Sequence, residues 1–263
     1  DQLNTRKMEL RESLIAESKT GKVTMVEWNN AWTKLTRSMD IYRTISEIES
    51  SGNNAEYHSA NVTDSNSIGA AVGGRKVTGI VHGAGLEESK LVADKEWSTF
   101  DLIVRVKVDG WKSLYSVAGD SLRFACAFTS VAGRFGNGGQ TDYAAANSIL
   151  DAEMARLTAT GECRAVAIGW TGWRDVGMAT RGSIEAVFES AGIETLSVED
   201  GVEIFVGEAL AGGKRRVLGC GSLGMMDRFD SFREAPLKLP AEMAASIADP
   251  RRFPLIDKLV SLD

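Results

Sequence analysis

The chain has 263 residues, of which 43% are hydrophobic and 25% charged, and a formal net charge of −6. That balance suits a folded core and excludes intrinsic disorder and collagen-like repeats. The acidic sign and the lack of a dense Lys/Arg block argue against nucleic acid or an anionic membrane as partner.

The first 50 residues read as mostly helical. Leu3 to Ser18 is strongly charged, and Trp28, Trp32, Leu35 and Met39 recur at helical spacing. A turn at Ser50–Asn54 closes this helical lead-in (1–54). Ala55–Ala60 is a candidate first strand. Short apolar runs at Val77–His82, Arg123–Thr129, Arg164–Gly169 and, more weakly, Arg215–Leu218 predict strands buried on both faces. Between them, Glu96–Ala118, Thr141–Thr160 and Val198–Ala211 have helical periodicity. The alternation predicts an α/β fold, a doubly wound parallel sheet with helices on both faces. All four prolines fall from Pro236 onward, so residues 232–263 read as a linker or docking tail. No run reaches the roughly 20 apolar residues that cross a bilayer, and the polar start Asp1 to Thr5 is unlike a signal peptide. A soluble, cytoplasmic protein is expected. Cys126, Cys163 and Cys220, with only His58 and His82 beside them, form neither a disulfide framework nor a recognisable metal site.

One glycine motif misleads. Gly219-Cys-Gly-Ser-Leu-Gly224 matches G-x-G-x-x-G and follows a strand-like run. A dinucleotide loop also needs a helix at its third glycine and a second strand ending in an acid about 20 residues on. The residues after Gly224 contain all four prolines and cannot supply them. The expected reading is a glycine-rich strand exit.

A lysine stands out. Phe100, Ile103, Val104, Val108, Trp111, Leu114 and Tyr115 form the inward stripe of a helix, and Lys107 falls inside it. Lysine is rarely buried without a partner. A stem that snorkels its charge to the sheet edge is the plainer alternative. Downstream, Ser130 ends a strand, a loop rich in glycine (Gly133, Gly136, Gly138, Gly139) follows, and a helix from about Thr141 carries Tyr143 and Asn147 on one face. Ligands of open α/β sheets sit beyond the carboxyl ends of strands. A hydroxyl, a phenol, an amide and an ammonium can therefore converge at one crevice.

The stretch Ser130-Val-Ala-Gly-Arg-Phe-Gly-Asn-Gly-Gly-Gln-Thr-Asp-Tyr-Ala-Ala-Ala-Asn147 resembles the active-site block of ketoreductase domains of polyketide synthases and polyunsaturated fatty-acid synthases, members of the short-chain dehydrogenase/reductase superfamily. Val81-His-Gly-Ala-Gly85 resembles the turn after that family's fourth strand. Trp170-Thr-Gly-Trp173 with Gly177-Met-Ala179 resembles its Trp-Gly-x-Trp…Gly-Met-Ala segment. The likeness runs from about Trp28 to Ala211. It implies a Rossmann-like fold, with 55–231 as the catalytic part, and NADPH-dependent reduction of a 3-ketoacyl thioester on an acyl carrier protein with its phosphopantetheine arm. The resemblance assigns catalysis to Lys107, Ser130, Tyr143 and Asn147. Tyr143 protonates the ketone oxygen, Ser130 hydrogen-bonds it, Lys107 lowers the tyrosine pKa, and Asn147 holds Lys107 and a water relay. It further implies cofactor contacts at Asn61, Val62, His82, Gly83, Ala84, Gly85, Lys107, Tyr143 and Trp170, and substrate contacts at Leu86, Phe135, Gln140, Trp173 and Met178. Thr180 to Ile193 stands where the family has a segment that closes over the substrate.

Some features depart from the family. The first β-α-β unit with its pyrophosphate loop has no counterpart here, so the sheet order 3-2-1-4-5-6-7 would be left with an open slot. The missing strands are expected from another stretch, neighbouring synthase domains or another chain, or to have been removed. Asn61 replaces an acid in Asn61-Val-Thr-Asp64, Leu86-Glu-Glu88 replaces Leu-Asp-Asp, and Phe135 is not the tryptophan associated with L-alcohols. The resemblance thus implies a D (3R) product. The alternatives are a non-catalytic reductase-like module and a stand-alone short-chain dehydrogenase on a small alcohol or sugar.

Overall fold

The computed structural model describes residues 2–18, 21–174, 176–177, 188, 190, 192–210 and 216–224. Contacts divide the chain into two units, the first spanning Asp1–Ala60 and the second beginning at Asn61.

The first unit holds helices α1 (Gln2–Glu17) and α2 (Met25–Ser50). A reciprocal capping box starts α2: Thr24 Oγ1 accepts from Glu27 N at 3.2 Å, and Glu27 accepts from Thr24 N at 2.8 Å. Trp28 and Trp32 stack with centroids 6.0 Å apart, and Lys7 of α1 lies 5.0 Å from the Trp32 ring centroid. Residues 55–60, expected as a strand, form none. A strand exists only through its ladder, and this stretch makes none among the described residues.

The second unit is a parallel sheet of β1 (Gly79–His82), β2 (Phe124–Ser130), β3 (Arg164–Trp170) and β4 (Arg216–Gly219), lying side by side in chain order. All four predicted runs from Val77 onward become strands. The helices are α3 (Ser65–Val72), α4 (Trp97–Ala118), the short α5 (Ala132–Phe135), α6 (Thr141–Thr160) and α7 (Val198–Leu210). Helix α3 had no sequence expectation. It is capped by Asp64, which accepts from Asn66 N at 2.9 Å. Alternate strand residues serve opposite cores. Ala125, Ala127, Ala165 and Ala167 pack with Trp111, Leu150, Met154 and Leu157 of α4 and α6. Cys126, Val166, Ile168 and Trp170 pack with Leu196 and with Ile204 and Phe205 of α7. This is the two-faced burial of a doubly wound sheet.

The alanine strands of the first core let α4 and α6 pack closely on the sheet. The stripe Tyr143, Asn147, Leu150, Met154 and Leu157 of α6 is buried, as are Ile103, Lys107 and Trp111 of α4. Lys107 therefore sits on the inward face, and its ammonium does not snorkel out. Where an open glycine loop was expected after Ser130, residues 132–135 form α5, and Gly139 O accepts from Lys90 N at 3.0 Å. The decoy motif behaves as a strand exit. Gly219 faces the Trp170 ring with no room for a Cβ, and Gly221 is equally tight against Glu194.

Candidate active site

Parallel strands put their carboxyl ends on one edge. His82 ends β1, and Ser130, Trp170 and Gly219 lie in register at the ends of the next three strands. Ser130 Oγ accepts from Ala132 N at 3.1 Å, which fixes its position and leaves its O–H free to donate. Helix α6 begins beside it and carries Tyr143 into the same space. The Tyr143 phenol lies close enough to the side chains of Ser130 and Asn147 for both to pull its pKa down.

Asn147 lies one turn beyond Tyr143 and is wholly buried. Its Nδ2 donates to Tyr143 O at 2.7 Å, while its Oδ1 has no partner among the described residues. Gly133 makes this packing possible, since a Cβ there would stand 2.8 Å from Asn147 Cβ. Across the crevice, Lys107 is 3% exposed, its Nζ donates to Phe128 O at 2.9 Å and lies 5.9 Å from the Tyr143 ring centroid. Gly85 closes over it, with an added Cβ only 3.2 Å from Lys107 Cε. The four residues named from sequence are thus brought together.

Burial dominates the electrostatics of both titratable groups. Burial lowers the Lys107 ammonium to about 8, opposed by the charge of Asp151. The Tyr143 phenol is raised above its ordinary value by burial and more weakly by Glu87, while Ser130 and Asn147 pull it down. The groups favouring the phenolate are therefore the Ser130 hydroxyl and the Asn147 amide. The Lys107 ammonium, expected to lower the phenol, donates to Phe128 O and stands 5.9 Å from the Tyr143 ring centroid.

The remaining predicted contacts scatter more widely. His82 is 1% exposed, and its Nε2 donates to Lys107 O at 2.9 Å, so it braces the α4 backbone. Burial drops its pKa to about 4, which keeps it neutral. The motif had implied a cofactor contact, but β1 turns this ring inward. Val62 and His82 both close on Gly110 of α4. Asn61 Oδ1 accepts from Thr63 N at 3.1 Å and Thr63 Oγ1 at 3.0 Å, an Asx turn leading to α3. Gly83 is exposed, Ala84 and Gly85 half-buried, and Leu86 exposed at the mouth. Gln140 donates to Glu87 Oε1 at 2.9 Å and to Ser89 Oγ at 3.2 Å. Half-buried Phe135 lies under Arg134, 5.5 Å from centroid to guanidinium. Trp170 is buried, edge-on to Phe128 and Trp173, and its indole N–H has no partner among the described residues. Met178 and most of Thr180–Ile193 lie outside the described residues, as does the tail from 232.

Sequence reading missed Asp151. Its carboxylate accepts from Thr129 Oγ1 at 2.8 Å and from Arg216 Nη2 at 2.6 Å, and its charge acts on Lys107. The signal was available: Asp151 follows Asn147 by four residues on the buried stripe of α6, the kind of anomaly that singled out Lys107.

The crevice leaves one polar atom for a bound group or water. Asn147 Oδ1 is a buried acceptor that lacks a donor among the described residues, and such an atom calls for a bound polar group or water. The described residues offer no glycine loop at a strand-to-helix turn for a pyrophosphate.

Comparison with known proteins bears on family and fold. The family model of the KR domain matches residues 13–175. Polyketide synthase PksM of Bacillus subtilis is 26% identical over 208 residues, covering 76% of this chain and 5% of its own. A polyunsaturated fatty acid synthase of Thraustochytrium is 32% identical over 187 residues, 66% of this chain and 6% of its own. A solved structure of A-type ketoreductases from a modular polyketide synthase superposes with a TM-score of 0.62 at 25% identity, covering 66% of this chain and 38% of that one. The ketoreductase from the first module of phoslactomycin biosynthesis in Streptomyces gives 0.61 at 26% identity, over 71% and 44%. The fold is the α/β fold of ketoreductases. Within that class the chain belongs to the KR domain family, the ketoreductase domains of polyketide and polyunsaturated fatty-acid synthases. It spans about a twentieth of the length of the curated relatives it matches.

Proposed function

We propose that this chain carries the catalytic part of an NADPH-dependent 3-ketoacyl reductase in a cytoplasmic, multifunctional synthase. Its substrate is an acyl chain on the phosphopantetheine arm of an acyl carrier protein. The observation that supports this most directly is the Tyr143 phenol, pulled down in pKa by Ser130 and Asn147, beside the buried Lys107. When bound, the reduced nicotinamide supplies hydride to the carbonyl carbon.

The rest falls to side chains. The Ser130 hydroxyl donates to the ketone oxygen and holds it against Tyr143. Tyr143 delivers its proton as negative charge develops on that oxygen. Raised by burial, the phenol holds its proton at neutral pH until a stronger base forms, and the Ser130 and Asn147 bonds stabilise the phenolate left behind. Lys107, with a pKa of about 8, carries a proton it can release near ambient pH and so restores the phenol. Asn147 joins the two by holding α6 against Gly133 and offering Oδ1 to a relay. Asn61, Val62, Gly83, Ala84, Gly85, Lys107, Tyr143 and Trp170 are proposed to hold the cofactor, and Leu86, Phe135, Gln140, Trp173 and Met178 to meet the acyl chain. The strands and pyrophosphate loop not found here are supplied, on this reading, by a neighbouring synthase domain or another chain. The free outer edge of β1 among the described residues is consistent with that. Incubating the full-length protein with NADPH and a carrier-bound 3-ketoacyl chain should increase the acyl mass by two hydrogens. An unreduced chain alongside competent carrier and cofactor would count against the proposal.

A further inference from the structure

Outside the catalytic cluster lies a buried ion pair. Lys95 Nζ donates to both carboxylate oxygens of Asp142 at 2.7 Å and to Glu88 O at 2.8 Å, and the two side chains are 3% and 0% exposed. Asp142 Oδ1 also accepts from Tyr143 N at 2.8 Å. The three ammonium donors are thus all used, and the carboxylate is bonded from a loop on one side and from a helix start on the other. A pair so buried is a costly way to gain stability, because apolar side chains of like volume usually serve as well. Its value lies in direction, since each bond fixes an angle and a distance.

Its position says what is being fixed. Asp142 stands in the first turn of α6 beside Tyr143, and that helix start has no side-chain cap from Gln140. Glu88 belongs to the loop after β1, whose Glu87 is bonded by Gln140, acts electrostatically on Tyr143, and whose Lys90 N donates to Gly139 O. The Lys95–Asp142 pair therefore joins the loop at the crevice mouth to the segment bearing the phenol.

We infer that Lys95 and Asp142 are positioning residues that hold the Leu86–Lys90 loop in register with Tyr143, and so set how an acyl substrate presents its ketone to the phenol. This rests on the reductase reading above. In the full-length protein, Lys95→Met is compared with Lys95→Arg and with the double replacement Lys95→Met/Asp142→Leu, which removes the charges together and guards against misfolding of the single variant. Three quantities are read: KM and kcat for a 3-ketoacyl thioester, the enantiomer ratio of the alcohol, and hydrogen exchange over residues 86–91 and 140–143.

Lys95→Met and the double variant should raise KM about tenfold and erode the enantiomer ratio, with faster exchange in both segments and unchanged NADPH affinity. Lys95→Arg should recover most of each. A double variant with lowered or unchanged Tm but wild-type KM, enantiomer ratio and loop exchange would overturn the inference and leave a merely structural pair. A wild-type protein that does not reduce the thioester would instead overturn the reductase reading, and with it the substrate role assigned to the pair.

Discussion

Removing water from Lys107 pushes its ammonium down to about 8, and the same loss of water pushes the Tyr143 phenol up. The lysine is consequently a burden on the fold. Below about pH 8 it is charged in the buried site, whereas the unfolded chain keeps its proton up to about 10.5. The unfolded state thus binds more protons between those values, and stability rises with pH across that window. Lys107→Met should flatten this rise and stabilise the protein at pH 7 by up to about 3 kcal/mol, while abolishing turnover; thermal melts at pH 7 and pH 10 measure the first effect. His82 has the same sign at lower pH. Its pKa falls from 6.5 to about 4, so acidification through that interval protonates the unfolded chain first and stability declines by about 3 kcal/mol. Replacing His82 by Gln should remove that acid-side slope in urea titrations while keeping a donor for Lys107 O.

At the scale of elements, the site depends on helices that approach each other without intervening side chains. Gly133 of α5 touches α6 so closely that a Cβ would fall 2.8 Å from Asn147 Cβ and 3.2 Å from Ser148 N. Gly133→Ala should therefore displace Asn147, destabilise by about 1–3 kcal/mol and reduce kcat more than KM, as steady-state kinetics would report. Much of this arrangement was legible in sequence. Periodicity placed Lys107 inside an apolar stripe and set Tyr143 and Asn147 one turn apart, and both helices formed where expected. Residues 55–60 were misread because β-like composition cannot reveal whether a partner strand is present. The α5 turn was hidden by glycines that looked like loop punctuation, although one of them, Gly133, provides close packing against α6. Asp142 escaped notice because it resembles a solvated helix acid until its partner Lys95, distant in sequence, is known, whereas Asp151 was legible from its place on the buried stripe of α6.

For the whole molecule, parallel strands in simple chain order deliver His82, Ser130 and Trp170 to one edge, and two separate cores hold α4 and α6 against one face and α7 against the other. The second unit thus contains an acid-base cluster together with the scaffold that orients it. No helix among the described residues is long and apolar enough to cross a membrane. On the proposed reading, catalysis by this cluster turns on Tyr143 as the proton donor. The most direct measurement follows NADPH consumption by the full-length protein with a short 3-ketoacyl thioester, comparing wild type with Tyr143→Phe at matched, verified folding and cofactor affinity. Loss of the phenolic proton should lower kcat by at least about a hundredfold; a Tyr143→Phe protein that turns over at the wild-type rate would contradict that role.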